Sequence, residues 1–296
     1  MRRGIPLGVF AGVFTLLVVI TFLNKPGPQR TTQKEDDQEW TAEKEKIRSF
    51  WEIYRKATEN RISGKPGEAA GEYQRALALN DKHEDALYYL GNMHMELGEY
   101  ENAKEAWKRL VQVNPTSTRA HLQLGNLYLR FEQNEIFNIE KAESEFQKVL
   151  RINKEETGPL IRLGQVLLIR GDLSEAQFYF DAVTASNYQS AEAYFLNGYV
   201  AWRKGDSKKA LDLLQKAVKY SHPPEPVEGT SGEGDTRTGK PLGVLERSAG
   251  QSLFYGQTRE LSRLVEISVP QEVEDRYRKL EEFLSQIRKK IRSQPQ

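Results

Sequence analysis

Residues 84–117 read EDALYYLGNMHMELGEYENAKEAWKRLVQVNPTS, and this stretch decides the fold. Leu87, Leu90, Gly91 and His94 fall at helical spacing, and Gly98 then interrupts the run. Ala103, Trp107 and Leu110 begin a second helical run, which Pro115 ends. The pattern is two short amphipathic helices joined by a tight turn, and neither can bury its apolar stripe alone. Such a pair needs neighbours of its own kind.

The neighbours are present. Gly91, Gly125, Gly164 and Gly198 hold one position of successive first helices, at intervals of 34, 39 and 34 residues. Ala69, Ala103, Ala142, Ala176 and Ala210 hold a small position in the second helices. Four residues further on come Tyr73, Trp107, Phe146, Phe180 and Leu214. Small residues let two helices touch, and large ones a turn later fill the space between layers. Turn glycines Gly64, Gly98, Gly171 and Gly205 precede four of the alanines by five residues. A fixed interval of this size marks a repeat array.

The pattern resembles the tetratricopeptide repeat, and the resemblance covers about residues 50–224. It implies an all-α superhelical solenoid of five units at 50–83, 84–117, 118–156, 157–190 and 191–224, within a region 41–224. The first unit is degenerate, with Lys56 and Ala57 where Leu-Gly is expected. The third carries five extra residues around Phe131 to Asn138, predicted to lengthen a turn and spare the stacking faces.

The resemblance also implies a site. Members of this family bind peptides or partner segments along the face formed by the first helices. Carried over by position, that groove is lined by Tyr54, Tyr88, Leu122, Ile161 and Phe195, by Asn92, Asn126, Gln165 and Tyr199, and by Met95, Leu129, Leu168 and Trp202. Amides there pair with both the N–H and C=O of an extended chain, and apolar side chains supply area. The chaperone-type carboxylate clamp is predicted absent. Asn92 and Arg162 suit it, but Tyr88 and Gly158 stand where lysines belong, and Gln123 replaces an asparagine. Whether a foreign segment or the protein's own chain fills the groove stays open at this point.

Outside the array, Ile5 to Leu23 is uncharged and apolar, long enough to cross a bilayer. No small-x-small cleavage pattern follows, so residues 1–24 read as an uncleaved transmembrane anchor. The expected location is a bacterial inner membrane, spanned once, with the repeats outside the cytoplasm; the reverse orientation is the alternative. Gly4, Gly8 and Gly12 give one helix face on which two copies can pair. Residues 25–40 read as a polar tether, with Trp40 and Thr41 as a hydrophobic N′ residue and helix N-cap. Residues 225–269 form a Pro/Gly-rich linker and an apolar segment, and the segment 242–269 is expected to fold back onto the groove. In 270–293, Val273, Tyr277, Leu280, Leu284, Ile287 and Ile291 alternate four and three apart. That seam suits docking on the array or on a partner helix, including a second copy's.

The chemistry the sequence excludes is as informative. The chain has 43 basic and 42 acidic residues, a net charge of +1 that leaves no nucleic-acid footprint. It has no cysteine, hence no disulfide or thiolate centre. His94 and His121 sit at packing positions and are expected in the core, and no metal-binding, cofactor-binding or catalytic motif is present. The expectation is a non-enzymatic, membrane-anchored scaffold without cofactor. The alternatives are a structural subunit that oligomerises through its anchor or last helix, or an accessory domain of an enzyme system.

Overall fold

The computed structural model describes residues 31–133, 135–221, 260–263 and 270–293. The predicted span 5–23, the glycine face at residues 4–12 and most of 225–269 lie outside the described residues. Among the described residues, no helix is long and apolar enough to cross a membrane. The chain divides into two units, residues 1–51 and 52–296.

The first helix, α1 (Thr31–Ile62), starts ten residues before the predicted N-cap at Thr41. Residues 31–40 of the predicted tether 25–40 are therefore helical, because the acidic and polar run from Thr31 contains no proline or glycine to stop a helix. In the first unit Phe50 is buried, while Trp40, Ile47 and Trp51 are exposed.

The second unit is a succession of helix pairs. The end of α1 pairs with α2 (Pro66–Leu79), α3 (Glu84–Glu96) with α4 (Tyr100–Val113), and α5 (Thr118–Tyr128) with α6 (Ile139–Ile152). Next come α7 (Thr157–Arg170) with α8 (Leu173–Ser186), and α9 (Ala191–Arg203) with α10 (Ser207–Ser221). A 3-10 turn at Glu260–Arg263 packs on α10, and α11 (Pro270–Ser293) closes the described chain.

The sequence columns become packing layers. Each of the five alanines of the small column, and each of Tyr73, Trp107, Phe146, Phe180 and Leu214, is 0% exposed. A buried side chain of that size stabilises by about 1.5–3 kcal/mol. The glycines opposite make room. A Cβ on Gly91 would lie 2.2 Å from the Trp107 ring, on Gly125 2.5 Å from Phe146, and on Gly164 2.4 Å from Phe180. The turn glycines Gly64, Gly98, Gly171 and Gly205 have φ between 69° and 97°, which a side chain would strain.

Unit boundaries carry a second, polar column. Asn80, Asn114, Asn153 and Asn187 end the second helices, each donating its backbone N–H to a carbonyl four residues back. Each Oδ1 then accepts the N–H two residues on, as Asn114 does from Thr116 at 3.0 Å. The next helix is capped in turn, by His83 Nδ1, Ser117 Oγ and Ser190 Oγ. In the third unit the five extra residues replace the turn glycine. They also add core, since Ile136 and Phe137 are buried and the Asn138 N–H bonds the Tyr128 carbonyl at 2.8 Å.

His94 and His121 lie in the interior as expected, 6% and 2% exposed. Each meets a glutamate through Nδ1 at 2.6 Å, Glu99 and Glu145 respectively. The bond to Glu145 raises the His121 pKa above its ordinary value, outweighing the burial that lowers it. Burial pushes the Glu145 carboxyl up, but its bonds to His121 and Lys148 bring it below the ordinary range.

Candidate partner-binding groove

The first-helix face divides into three stretches with different chemistry. Over α1, α3 and α5 it is aromatic and half-open. Tyr54, Tyr88 and Leu122 are half-buried, while Asn92 and Met95 are buried beneath them. Arg61 stacks 4.2 Å from the centre of the Tyr89 ring and Arg119 4.7 Å from that of Tyr88. Arg119 also donates to Asp85 at 2.7 Å, so its charge is spent locally. Gln123 donates to the Tyr88 hydroxyl at 3.3 Å. The amide oxygens of Asn92 and Gln123 are buried without a hydrogen-bond partner.

The middle stretch is a closed polar network. Arg162 donates through Nε to Asn126 Oδ1 at 3.1 Å and through Nη1 to Gln165 Oε1 at 3.2 Å. Gln165, 0% exposed, donates onward to Glu192 at 2.7 Å, and Glu192 also faces Arg162 at 3.5 Å. Two of the amides expected to grip a peptide backbone are thus engaged inside the protein. A buried guanidinium needs acceptors, and these side chains provide them.

The third stretch is covered. Helix α11 packs on α7, α9 and α10. Val273, Tyr277, Leu280, Leu284 and Ile287 are each 4% exposed or less. Tyr277 lies 5.6 Å from Phe195 and 6.1 Å from both Tyr199 and Trp202, ring centre to ring centre. Trp202 donates to Glu274 at 2.6 Å, and Tyr199 and Arg203 both donate to Glu281. Arg288 donates to the carbonyls of Leu168 and Ile169 near the end of α7, each at 2.8 Å, and Leu168 also accepts the Gly171 N–H at 3.2 Å. Lys290 donates to the Phe131 carbonyl and stands 4.3 Å from the centre of its ring. Among the described residues the covering ends there.

This electrostatic setting moves Tyr199 and Glu281 in opposite directions. Burial first, and then Glu281, push the Tyr199 phenol up to about 12. Burial would raise Glu281, but hydrogen bonds from Tyr199 and Arg203 hold it below the ordinary carboxylate range.

Gly198 explains the seat of Tyr277. In the three preceding units an aromatic ring of the second helix fills the space above the glycine; in the last, the column holds Leu214. The vacancy is taken by the Tyr277 hydroxyl, which a Cβ on Gly198 would meet at 2.0 Å. That hydroxyl is fully buried and has no hydrogen-bond partner.

Of the thirteen groove positions from the sequence, Tyr54, Tyr88, Asn92, Met95 and Leu122 belong to the first stretch. Asn126 and Gln165 belong to the network. Phe195, Tyr199 and Trp202 lie under α11. Leu129, Ile161 and Leu168 are core residues, at 3%, 7% and 0% exposure. The described covering element is 270–293, and most of the expected segment 242–269 lies outside the described residues. Of the earlier segment, residues 260–263 are described, and there Leu261 is buried. Sequence reasoning missed Tyr277 as a groove residue, although the leucine breaking the aromatic column was its signal. It also missed a cavity of about 570 Å³ between the turn before α4 and the extra residues, lined by Glu99, Glu101, Glu132 and Glu135 among others. Among the described residues, no group of three or more candidate ligands is placed to hold a metal ion.

Antiparallel helix pairs recurring in register define a tetratricopeptide-repeat array. A profile described as tetratricopeptide repeat matches residues 54–103 and 161–226, and one described as TPR repeat matches 91–130; these stretches are tetratricopeptide repeats. Anaphase-promoting complex subunit 3 of Schizosaccharomyces pombe is 27% identical over 143 residues, 48% of this chain and 21% of that protein. Human protein O-mannosyl-transferase TMTC1 is 27% identical over 139 residues, 46% of this chain and 15% of that protein. The chain thus spans about a fifth or less of the length of these two relatives. Among solved structures, a double mutant of MamA from RS-1 superposes with a TM-score of 0.51 at 18% identity, covering 59% of this chain and 94% of that one. At that identity the likeness is one of fold.

Proposed function

We propose that the protein is a scaffold that holds a segment of a partner protein on its first-helix face over α1, α3 and α5. The observation that carries this reading is the half-open stretch of Tyr54, Tyr88 and Leu122, beside two buried amide oxygens without partners. Exposed aromatic surface beside unmet polar groups is the usual ground for an interaction site. A tetratricopeptide array generally serves protein interaction, and the name of the fission-yeast relative makes it a subunit of a complex. In this reading residues 5–23 tether the scaffold to a membrane, on the strength of their uncharged apolar run. The preferred location is a bacterial inner membrane with the array outside the cytoplasm.

A second reading, a structural subunit whose own C-terminal part fills the groove, is favoured for the stretch over α7 and α9 by the docking of α11. The two readings share the face between them. Photo-crosslinking in cells from position 88 and from position 195 tests the division. A partner band from position 88 that Leu122→Ala weakens, with none from position 195, supports it. Equal capture from both positions, or none from position 88, contradicts it.

A further inference from the structure

In helix α1 every residue from Trp40 to Ser49 is exposed, so this length of helix is solvated on all sides. Its large apolar side chains nevertheless keep to one line. Trp40, Ile47 and Trp51 are 62%, 50% and 54% exposed, and with Lys44 they fall four, three and four residues apart. That alternation is the a/d seam of a coiled coil, with Trp40 and Ile47 at d and Lys44 and Trp51 at a. Phe50, next to Trp51 and edge-on to its ring at 5.1 Å, is buried and lies off the line.

The charges beside the line identify what would cover it. Glu43 precedes Lys44 at a g position and Arg48 follows Ile47 at an e position, and both are exposed. When two parallel helices meet along a and d, each g residue faces the e residue five positions on in the other helix. Glu43 of each copy then faces Arg48 of the other, and two-fold symmetry makes the pair occur twice. In an antiparallel pair g faces g and e faces e, so Glu43 and Arg48 do not meet. One helix thus carries both halves of its own complement. Within its own chain Glu43 pairs with Lys46 at 3.9 Å, an exposed contact of small worth. Lys44 rests its ammonium 4.8 Å from the centre of the Trp40 ring, and a lysine at a single a position fixes register and strand number at a cost in stability. The helix is already formed, so pairing orders side chains and little backbone.

We propose that residues 40–51 bind the same residues of a second copy of this chain, as a parallel two-stranded coiled coil. The contact uses none of the groove positions, so it is independent of the partner reading above.

Because the chain has no cysteine, single introduced thiols report the contact in the full-length protein under mild oxidation. Lys44→Cys and Ile47→Cys place the thiols of two copies across the seam. Ala42→Cys and Ser49→Cys place them at outer f positions, beyond the separation of about 7 Å between Cα atoms that a disulfide tolerates. The expected result is an inter-chain disulfide roughly tenfold faster at 44 and 47 than at 42 and 49. In the Ile47→Cys chain, Glu43→Arg sets like charge against Arg48 of the second copy and should slow the reaction several-fold. Adding Arg48→Glu to the same chain should restore it. Association through any other part of the chain raises all four positions alike. Equal rates at the four positions overturn the proposal, as does a rate that Glu43→Arg leaves unchanged. Absence of a disulfide at every position also overturns it, and is the result if a membrane surface or a different protein covers this line. All the substituted side chains are exposed, and unchanged helical content shows that the fold is kept.

Discussion

Gly198 sets how closely the last helix approaches the array, and Tyr277 uses all the room it leaves. Replacing Gly198 by alanine drives a Cβ into the phenol, and overpacking of this kind costs about 1–3 kcal/mol. Tyr277→Phe removes the atom that collides. In the double variant, thermal or denaturant melts should therefore recover most of the loss. Tyr277→Phe alone should be neutral or stabilising by about 1 kcal/mol, because it deletes a buried hydroxyl without a partner. A loss of stability on that change would mean the hydroxyl has a partner. His121 gives a prediction in pH. Its folded pKa is raised above 6.5, so the bond to Glu145 contributes fully below pH 6.5 and fades as pH rises through the folded value. The drop in melting temperature caused by His121→Gln should be larger at pH 6 than at pH 9. Both histidines were legible in the sequence as interior residues, from their place in the repeat. Their glutamate partners were not, since Glu145 lies 24 positions from His121 and only the pairing of α5 with α6 brings them together.

Among the elements, α11 holds its place by contacts that respond to charge. Glu281 has a lowered folded pKa, so its contribution to docking is present above its ordinary value of 4.5 and is lost as pH falls through the folded value. Tyr199, raised to about 12, contributes fully below pH 10 and loses its hold as pH climbs through 12. Amide hydrogen exchange in residues 270–293 should accordingly be slowest, after correction for intrinsic rates, in the window between these limits. Arg288→Ala takes a donor from the Leu168 and Ile169 carbonyls near the end of α7, of which Leu168 keeps the Gly171 N–H, at a cost of about 1–3 kcal/mol. Faster exchange in α11 together with the last turn of α7 is the expected signature. The seam of this helix could be read directly, because six apolar residues four and three apart leave one face to bury. Its partner could not be read. Period fixes which face is buried, and only the fold fixes against what. The leucine at 214 was the clue to the missing ring, visible once the aromatic column is treated as something that must be filled in every unit.

For the molecule as a whole, the repeats were legible because their physical need recurs. A small residue, a large one a turn later and a turn glycine appear in the same places until the pattern stops. The candidate groove was legible only as a set of positions. Which amides face a ligand and which are tied up depends on Arg162, which the sequence pattern matched to a clamp position and the fold turns onto Asn126 and Gln165. Nor does the pattern foresee that residues 31–40 continue a helix. The central claim is that the first-helix face is divided, its later half covered by α11 and its earlier half left half-open by the described residues. Two introduced thiols test this cleanly, since the chain has no cysteine of its own. In a chain with Trp202→Cys and Glu274→Cys, a short bis-maleimide should join the two positions in high yield, and with Tyr88→Cys in place of Trp202→Cys it should not. Equal yields from the two pairs, or a higher yield from position 88, would contradict the account.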